Sequence, residues 1–336
     1  MKKTFCIAFF LLSIHATAQK SLNIIKLKET KRIETILSAD DMLGRRAFSA
    51  GNEKAAAFIA SEFEKIGLQK WKGGDSYLQT FPMVKKTNAN NRSMFTFDLT
   101  QQGEQVKLSN VVGVIPGKSK PNEYVIFSGH FDHIGISTRN MQNNDSIFNG
   151  ANDDAAGTTA MIMLAKYFKK LNNNERTLVF AAFNAEEMGG FGATYFSKQF
   201  DPAQVVAMFN IEMIGTESKW GKNSAYITGF EKTNMGEMLQ KNLTGTGFEF
   251  HADPYPDQQL FYRSDNATLA RLGVPAHTIS TSKMDSEPNY HKASDEISTI
   301  DLKNMNEIIK AIALSSRGIV AGTETPTRVD TSSLKR

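Results

Sequence analysis

Cysteine is nearly absent from this chain. Cys6 is the one thiol among 336 residues, and it lies in an N-terminal segment that reads as removable. The mature chain would then form no disulfide and offer no thiolate, so any metal it holds must be bound by imidazole and carboxylate. Long apolar runs are missing too. The run at 5–14 is shorter than the roughly 20 residues that cross a bilayer, and no later run is longer, so no membrane anchor is expected. Charge of one sign is not concentrated: 39 Lys and Arg stand against 35 Asp and Glu, a formal charge of +4. The cations are scattered, which leaves no nucleic-acid footprint. No internal repeat and no stretch of linker composition is present.

Residues 1–18 have the three parts of an export signal. Lys2-Lys3 is basic, 5–14 is apolar, and Ala16-Thr17-Ala18 is a small-residue cleavage site before Gln19. The expectation is an exported protein, periplasmic or extracellular, with a retained N-terminal anchor as the alternative. Without Lys2 and Lys3 the formal charge falls from +4 to +2, and 336 − 18 = 318 residues remain, enough for one large domain or two small ones.

Apolar periodicity and breakers predict a helix N-terminus at Ser38 to Asp41, a helix over 55–66 closed by Gly67, and strands over 93–98, 106–115 and 124–127. Then come a helix from Gly157, a strand over 177–183, a helix over 193–199, and strands over 205–214 and 225–228. A helix over 234–243, a helix through Arg271 capped at Ser264-Asp265, a strand over 275–280 and a helix over 301–320 complete the pattern. Strands alternating with helices imply an α/β fold, one doubly wound mixed sheet with helices on both faces, over a single domain at 19–322. The polar tail, 323–336, is expected to be disordered.

Four fragments carry chemistry: Ser128-Gly-His-Phe-Asp-His-Ile-Gly135, Asn149-Gly-Ala-Asn-Asp-Asp154, Asn184-Ala-Glu-Glu187 and Tyr290-His291. With Glu212 they supply enough nitrogen and carboxylate oxygen for two zinc ions and leave one carboxylate over, which is what a metal-dependent hydrolase needs. Each has an alternative reading. His130 and Asp132 could form a loop salt bridge, although an imidazole ligand commonly has a carboxylate fixing its other nitrogen. Asp153 at a helix entrance could be an N-cap, though Asp153 and Asp154 cannot both cap. Glu186-Glu187 could be a solvated pair, or one could bind metal while the other faces water. His291 could be a solvated loop residue. Glu212 lies in an apolar strand, where an unpaired carboxylate is costly.

The order of SGHFDHIG, DSIFNGANDDAAG, FNAEEMGGFGATYF and YHKASDE resembles the di-zinc aminopeptidases, the leucyl aminopeptidase and aminopeptidase Y type of metallopeptidase, related to glutamate carboxypeptidase and glutaminyl cyclase. The resemblance runs over roughly 38–322. It implies a zinc exopeptidase fold with two Zn²⁺ per chain: His130, Asp153 and Glu212 on one, Asp153, Glu187 and His291 on the other. It further implies Glu186 as general base, Asp132 as partner of His130, a cis Asp153-Asp154 peptide, and hydrolysis of N-terminal residues from peptides. Two features depart from the family: Glu212 replaces the usual Asp, and Ser264-Asp265-Asn266 replaces a frequent Ser-Asp-His. There is no room between 67 and 106 for an inserted protease-associated domain. Tyr262 is a candidate oxyanion donor, or else a core or pocket-wall tyrosine. Co²⁺ or Mn²⁺ could occupy such a ligand set. A mono-zinc glutaminyl-peptide cyclotransferase and a non-catalytic binding protein on the same scaffold are the alternatives, and the oligomeric state is not fixed.

Overall fold

The computed structural model describes residues 21–88, 93–138, 141 and 144–334; the expected export signal lies outside them. The chain opens with helix α1 (Leu27–Leu37) and α2 (Ala50–Ile66). Strands β1 (Gln69–Lys70), β2 (Leu78–Thr87), β3 (Ser93–Thr96), β4 (Glu104–Ile115) and β5 (Lys120–His130) follow, then a small hairpin of β6 (Gly135–Ile136) and β7 (Ile147–Phe148). Helix α3 (Ala156–Leu171) leads to β8 (Arg176–Phe183), α4 (Phe191–Ser197), β9 (Val205–Ile211), β10 (Ser224–Ile227), α5 (Met235–Leu243) and β11 (Glu249–Ala252). The last elements are α6 (Asn266–Ala270), β12 (Ala276–Ser280), α7 (Leu302–Ser315) and α8 (Arg317–Val320).

One ten-stranded sheet has the order β11-β10-β12-β9-β5-β8-β4-β2-β3, with β1 on β4. The central strands β8, β5, β9 and β12 run parallel, and the flanking β4, β2 and β3 antiparallel. Every residue of β8 and β9 is buried, which is why RTLVFAAF and VVAMFNI read as unbroken apolar runs rather than alternating ones. Phe127 is register partner to both Phe180 and Phe209. The three rings stack at 5.5 and 4.9 Å, with Phe168 of α3 against them at 5.3 Å. This aromatic ladder lies under one sheet face; Ile126, Val179, Met208 and Phe196 form the smaller core on the other.

Three expectations need correction. Ser38 ends α1 rather than starting a helix: its N–H and Oγ both donate to Glu34 O. The α1 pattern was hidden because Thr30 and Glu34 sit on its buried face, bonded to Asn306 and Thr159. Strand β2 falls in a stretch for which the sequence predicts no element, because it contains Pro82 and alternates poorly. The tail is packed, not loose. Arg328 donates to Val205 O and Pro202 O, Val329 N to Gly273 O, and the buried Arg176 donates to Glu324 O and Thr325 Oγ1. Polar composition reads as disorder only when the polar groups find no partners, and here they do.

Candidate metal centre

The parallel strands end level with one another. His130, the last residue of β5, is register partner to Phe183, the last of β8, and Ser128 pairs with Asn210 near the end of β9. The loops beyond those ends therefore share one space, at the edge where open α/β sheets bind ligands. His130, Asp132, Glu186, Glu187 and Glu212 all arrive there within four residues of a strand end. Glu212 is not inside a strand as expected. Strand β9 stops at Ile211, and Met213 turns the chain with φ 52°. Leaving the ladder is what lets the carboxylate point at the cluster.

Asp153 is supplied by the turn Ala151–Ala155 that enters α3. Its capping alternative fails, because its side chain makes no cap bond and faces imidazoles instead. The peptide Asp153-Asp154 is cis, as the resemblance implied. Asp154 carries the structural load: its carboxylate accepts from His130 N, Gly157 N and Met213 N, tying three loops together. Gly157 has to be glycine, since a Cβ there would lie 2.0 Å from Ile211 O. Asp295 accepts from Asn152 N and Asp153 N at 2.9 and 3.0 Å. Arg45, fully buried, donates to Phe131 O, Leu37 O, Asn149 O and Gly150 O. It clamps the His130 loop to the Asp153 loop.

Around Asp153 the side chains converge. His130 Nε2 lies 3.2 Å from its Oδ1, His291 Nε2 3.2 Å from its Oδ2 and 3.2 Å from Glu187 Oε2. Ligand atoms of His130, Asp153 and Glu212 lie within 4.8 Å of one another, and so do those of His133, Asp153 and Glu187. All five expected ligands are thus brought together, and His133 joins them with Nδ1 2.8 Å from Glu187 Oε1. His133 stood inside the SGHFDHIG motif, three residues after His130 and past the strand end. That position was the available signal. Asp132 acts differently from expectation: the carbonyl of Asp132, not its carboxylate, meets His130 Nδ1, at 3.1 Å against 3.9 Å. The carboxylate instead accepts from Glu186 N and Glu187 N and so fixes both glutamates.

A cation fits this donor set. His130 Nδ1 faces a carbonyl, which can only accept, so Nδ1 carries the proton and Nε2 presents a lone pair. That Nε2 faces Asp153 at 3.2 Å without a hydrogen bond, and Glu212 Oε2 is equally buried and unpartnered. Two electron-rich atoms held so close repel each other unless a positive charge, a proton or a metal ion, lies between them. The acids show the same strain. Burial lifts Glu212 to about 7 and Asp265 to about 8, and holds Glu186 well above the usual carboxylate range, with Asp265 and Glu212 adding to the effect on Glu186. Glu187 moves the other way: against its burial, hydrogen bonds from His133 and His291 pull it to about 2.

Glu212 lies at the end of a buried relay. Ser128 Oγ donates to Asn210 Oδ1, Asn210 Nδ2 donates to Ser264 Oγ at 2.6 Å, and the Ser264 hydroxyl bonds Glu212. Asp265 makes no capping bond; both its carboxylate oxygens are buried without a partner. Tyr290 stacks on His291 at 3.9 Å and borders a closed apolar cluster of Met213, Tyr226, Leu260 and Met284. Tyr262 packs on the core of the other sheet face, edge-on to Phe261 at 5.2 Å and beneath Arg271, which supports the core reading.

Comparison with known proteins agrees with this geometry. The family model described as Peptidase family M28 matches residues 110–315. A probable leucine aminopeptidase of Trichophyton verrucosum is 28% identical over 220 residues, 61% of this chain and 56% of the relative, so the chain spans about half that relative's length. In fold the chain is similar to a zinc aminopeptidase from Bacillus subtilis, with TM-score 0.68 and 16% identity over 89% of this chain and 97% of that one. It is also similar to Porphyromonas gingivalis glutaminyl cyclase, with TM-score 0.63 and 13% identity over 88% and 99%.

Proposed function

The chain belongs to peptidase family M28, and from that premise we propose that it is a zinc-dependent aminopeptidase that hydrolyses N-terminal residues from peptides. The observation that carries the reading is the pair of donor groups, His130–Asp153–Glu212 and His133–Asp153–Glu187, sharing Asp153 as a two-metal hydrolytic site shares a bridging carboxylate. Zinc bound by these residues would supply Lewis acidity to water and to the scissile carbonyl.

The chain's own residues do the rest. Glu186, anchored through its N–H on Asp132, takes a proton from the attacking water on its carboxylate and delivers it to the departing amine nitrogen. His291 is held against Asp153 and Glu187, and His130 through Nδ1 on the Asp132 carbonyl, so little reorganisation accompanies the reaction. The buried apolar cluster of Met213, Tyr226, Leu260 and Met284 borders Tyr290, which stacks on His291, so the ground beside the centre is apolar. Export through residues 1–18 belongs to the same proposal.

The experiment is metal analysis of purified protein beside hydrolysis of leucyl-p-nitroanilide and cyclisation of an N-terminal Gln peptide. Two zinc ions per chain with anilide hydrolysis supports the reading. One zinc ion with pyroglutamate formation and no hydrolysis replaces it with a glutaminyl cyclase.

A further inference from the structure

The loop that carries Glu186 and Glu187 continues into Met188, Gly189, Gly190 and Phe191. It folds tightly, with Gly189 N and Gly190 N donating to Glu186 O and Phe191 N to Ala185 O. Met188 and Phe191 leave the acid cluster and enter the wall of an open groove of about 630 Å³, shared with Arg46, Phe48, Met94 and Phe95. Phe48 stacks on Phe95 at 5.0 Å, and Phe95 meets Phe191 edge-on at 6.2 Å. For a groove wall these side chains are strongly exposed: 39% for Phe48 and 54% for Met94. Met94 lies on β3, the end strand of the sheet.

Two segments of the groove also build the candidate centre. Arg46 and Phe48 follow directly on Arg45, the clamp of the metal loops, and Arg46 packs its stem against Gly135, two residues after His133. Met188 follows directly on Glu187. Charge singles out one residue of the lining. Lys85 is paired with Glu104 at 3.1 Å, whereas exposed Arg46 makes no ion pair among the described residues.

Resting on the aminopeptidase reading, we propose that this groove binds the part of the peptide that follows the cleaved bond, and that it selects a large apolar residue there with a carboxylate beyond it, met by Arg46. The contrast in burial sets the direction. The Met213–Tyr226–Leu260–Met284 cluster is fully buried and offers a peptide no open surface, whereas the apolar wall past Glu187 is open, so the residues after the cleaved bond run along that wall. Exposed aromatic and methionine side chains beside an unpaired guanidinium are suited to an apolar, acid-terminated peptide. The carboxylate could be the peptide's own C-terminus or an acidic side chain, and the two give different results.

The test compares wild type, Arg46→Gln and Phe48→Ser on leucinamide, which has nothing beyond the cleaved bond but ammonia, and on Leu-Gly-Gly, Leu-Phe-Phe, Leu-Phe-Phe amide and Leu-Phe-Glu amide. Neither residue belongs to the metal or proton-transfer machinery, and melting curves verify that both variants fold. Wild type should prefer Leu-Phe-Phe to Leu-Gly-Gly. Phe48→Ser should raise KM for Leu-Phe-Phe by roughly tenfold and leave leucinamide unchanged. Arg46→Gln should raise KM for carboxylate-bearing peptides by roughly three- to tenfold, with kcat little altered. A loss confined to Leu-Phe-Phe assigns Arg46 to the terminal carboxylate; one that includes Leu-Phe-Glu amide assigns it to an acidic group generally. If leucinamide and peptide kinetics move together, or neither moves, the groove is not a subsite. If wild type cleaves none of the five, the aminopeptidase reading fails and takes this proposal with it.

Discussion

Replacing Arg45 by Met should loosen the centre without touching a ligand. The guanidinium is fully buried and donates to four carbonyls, those of Phe131 and Leu37 at 2.7 and 2.6 Å and those of Asn149 and Gly150 at 2.5 and 2.9 Å. Methionine fills most of the volume and donates nothing, so four buried carbonyls lose their partner. Each unsatisfied group costs about 1–3 kcal/mol. The sum is reduced because the buried charge and its desolvation cost disappear together, and the net for breaking such a clamp is about 3–5 kcal/mol. That is a large share of the 5–15 kcal/mol that holds a typical fold. The buried acids Glu34, Asp295 and Asp153 also lose a nearby positive charge. Urea unfolding should show the lower stability, and competition with a chromophoric chelator should show weaker zinc binding. Arg45→Lys, with one ammonium in place of the fork, should fall between the two. If Arg45→Met unfolds within about 1 kcal/mol of wild type and binds zinc equally well, the clamp does not organise the loops.

Other perturbations follow from the same geometry. Glu186→Gln should lower kcat by roughly 10²–10⁴-fold with metal content intact, while Glu187→Gln should lose metal and recover in part with excess zinc; the reverse pattern would exchange their roles. His277 is buried between Thr228 O and Thr233 Oγ1, and burial lowers it to about 4. Its folded pKa lies below the unfolded value near 6.5, so its contribution is full above that pH and is lost as pH falls toward 4, by up to about 3 kcal/mol. Urea midpoints between pH 7 and 5 should therefore fall more steeply for wild type than for His277→Gln, and parallel slopes would contradict this. Deleting 324–336 removes two of Arg176's acceptors; stability should drop by about 2–3 kcal/mol with metal content unchanged, and an unaltered urea midpoint would mean the tail contributes nothing.

The central strands were legible because burial on both faces forces a continuous apolar run, as in 177–183, and the site was legible because its acids and imidazoles sit at the ends of such runs. What escaped was fixed by long-range pairing. Helix α1 looks unpromising until Glu34 is seen bonded to Thr159 and Thr30 to Asn306. Arg45 reads as an ordinary surface cation, since its four acceptors are backbone atoms that no side-chain pattern reports. Asp132 shows how roles shift: the residue lies where expected, but its carbonyl serves His130 and its carboxylate serves the glutamate loop. Glu212 was placed one step too deep in its strand because an apolar run does not announce the residue at which it leaves the ladder.

The ligands' spread along the chain bears on how the protein is made. His130 and His291 are 291 − 130 = 161 residues apart. Strands β5, β8 and β9 can pair once residue 211 has been synthesised, but β12 lies against β9 in the finished sheet and comes much later. Until 290–295 has followed it, the growing chain has one of its three imidazoles too few and lacks the Asp295 carboxylate that holds the Asp153 turn. Both donor trios are complete once Glu212 has been made, but the imidazole that joins Asp153 to Glu187 and the carboxylate that fixes the Asp153 turn come last, so the final order of the centre waits on the end of synthesis.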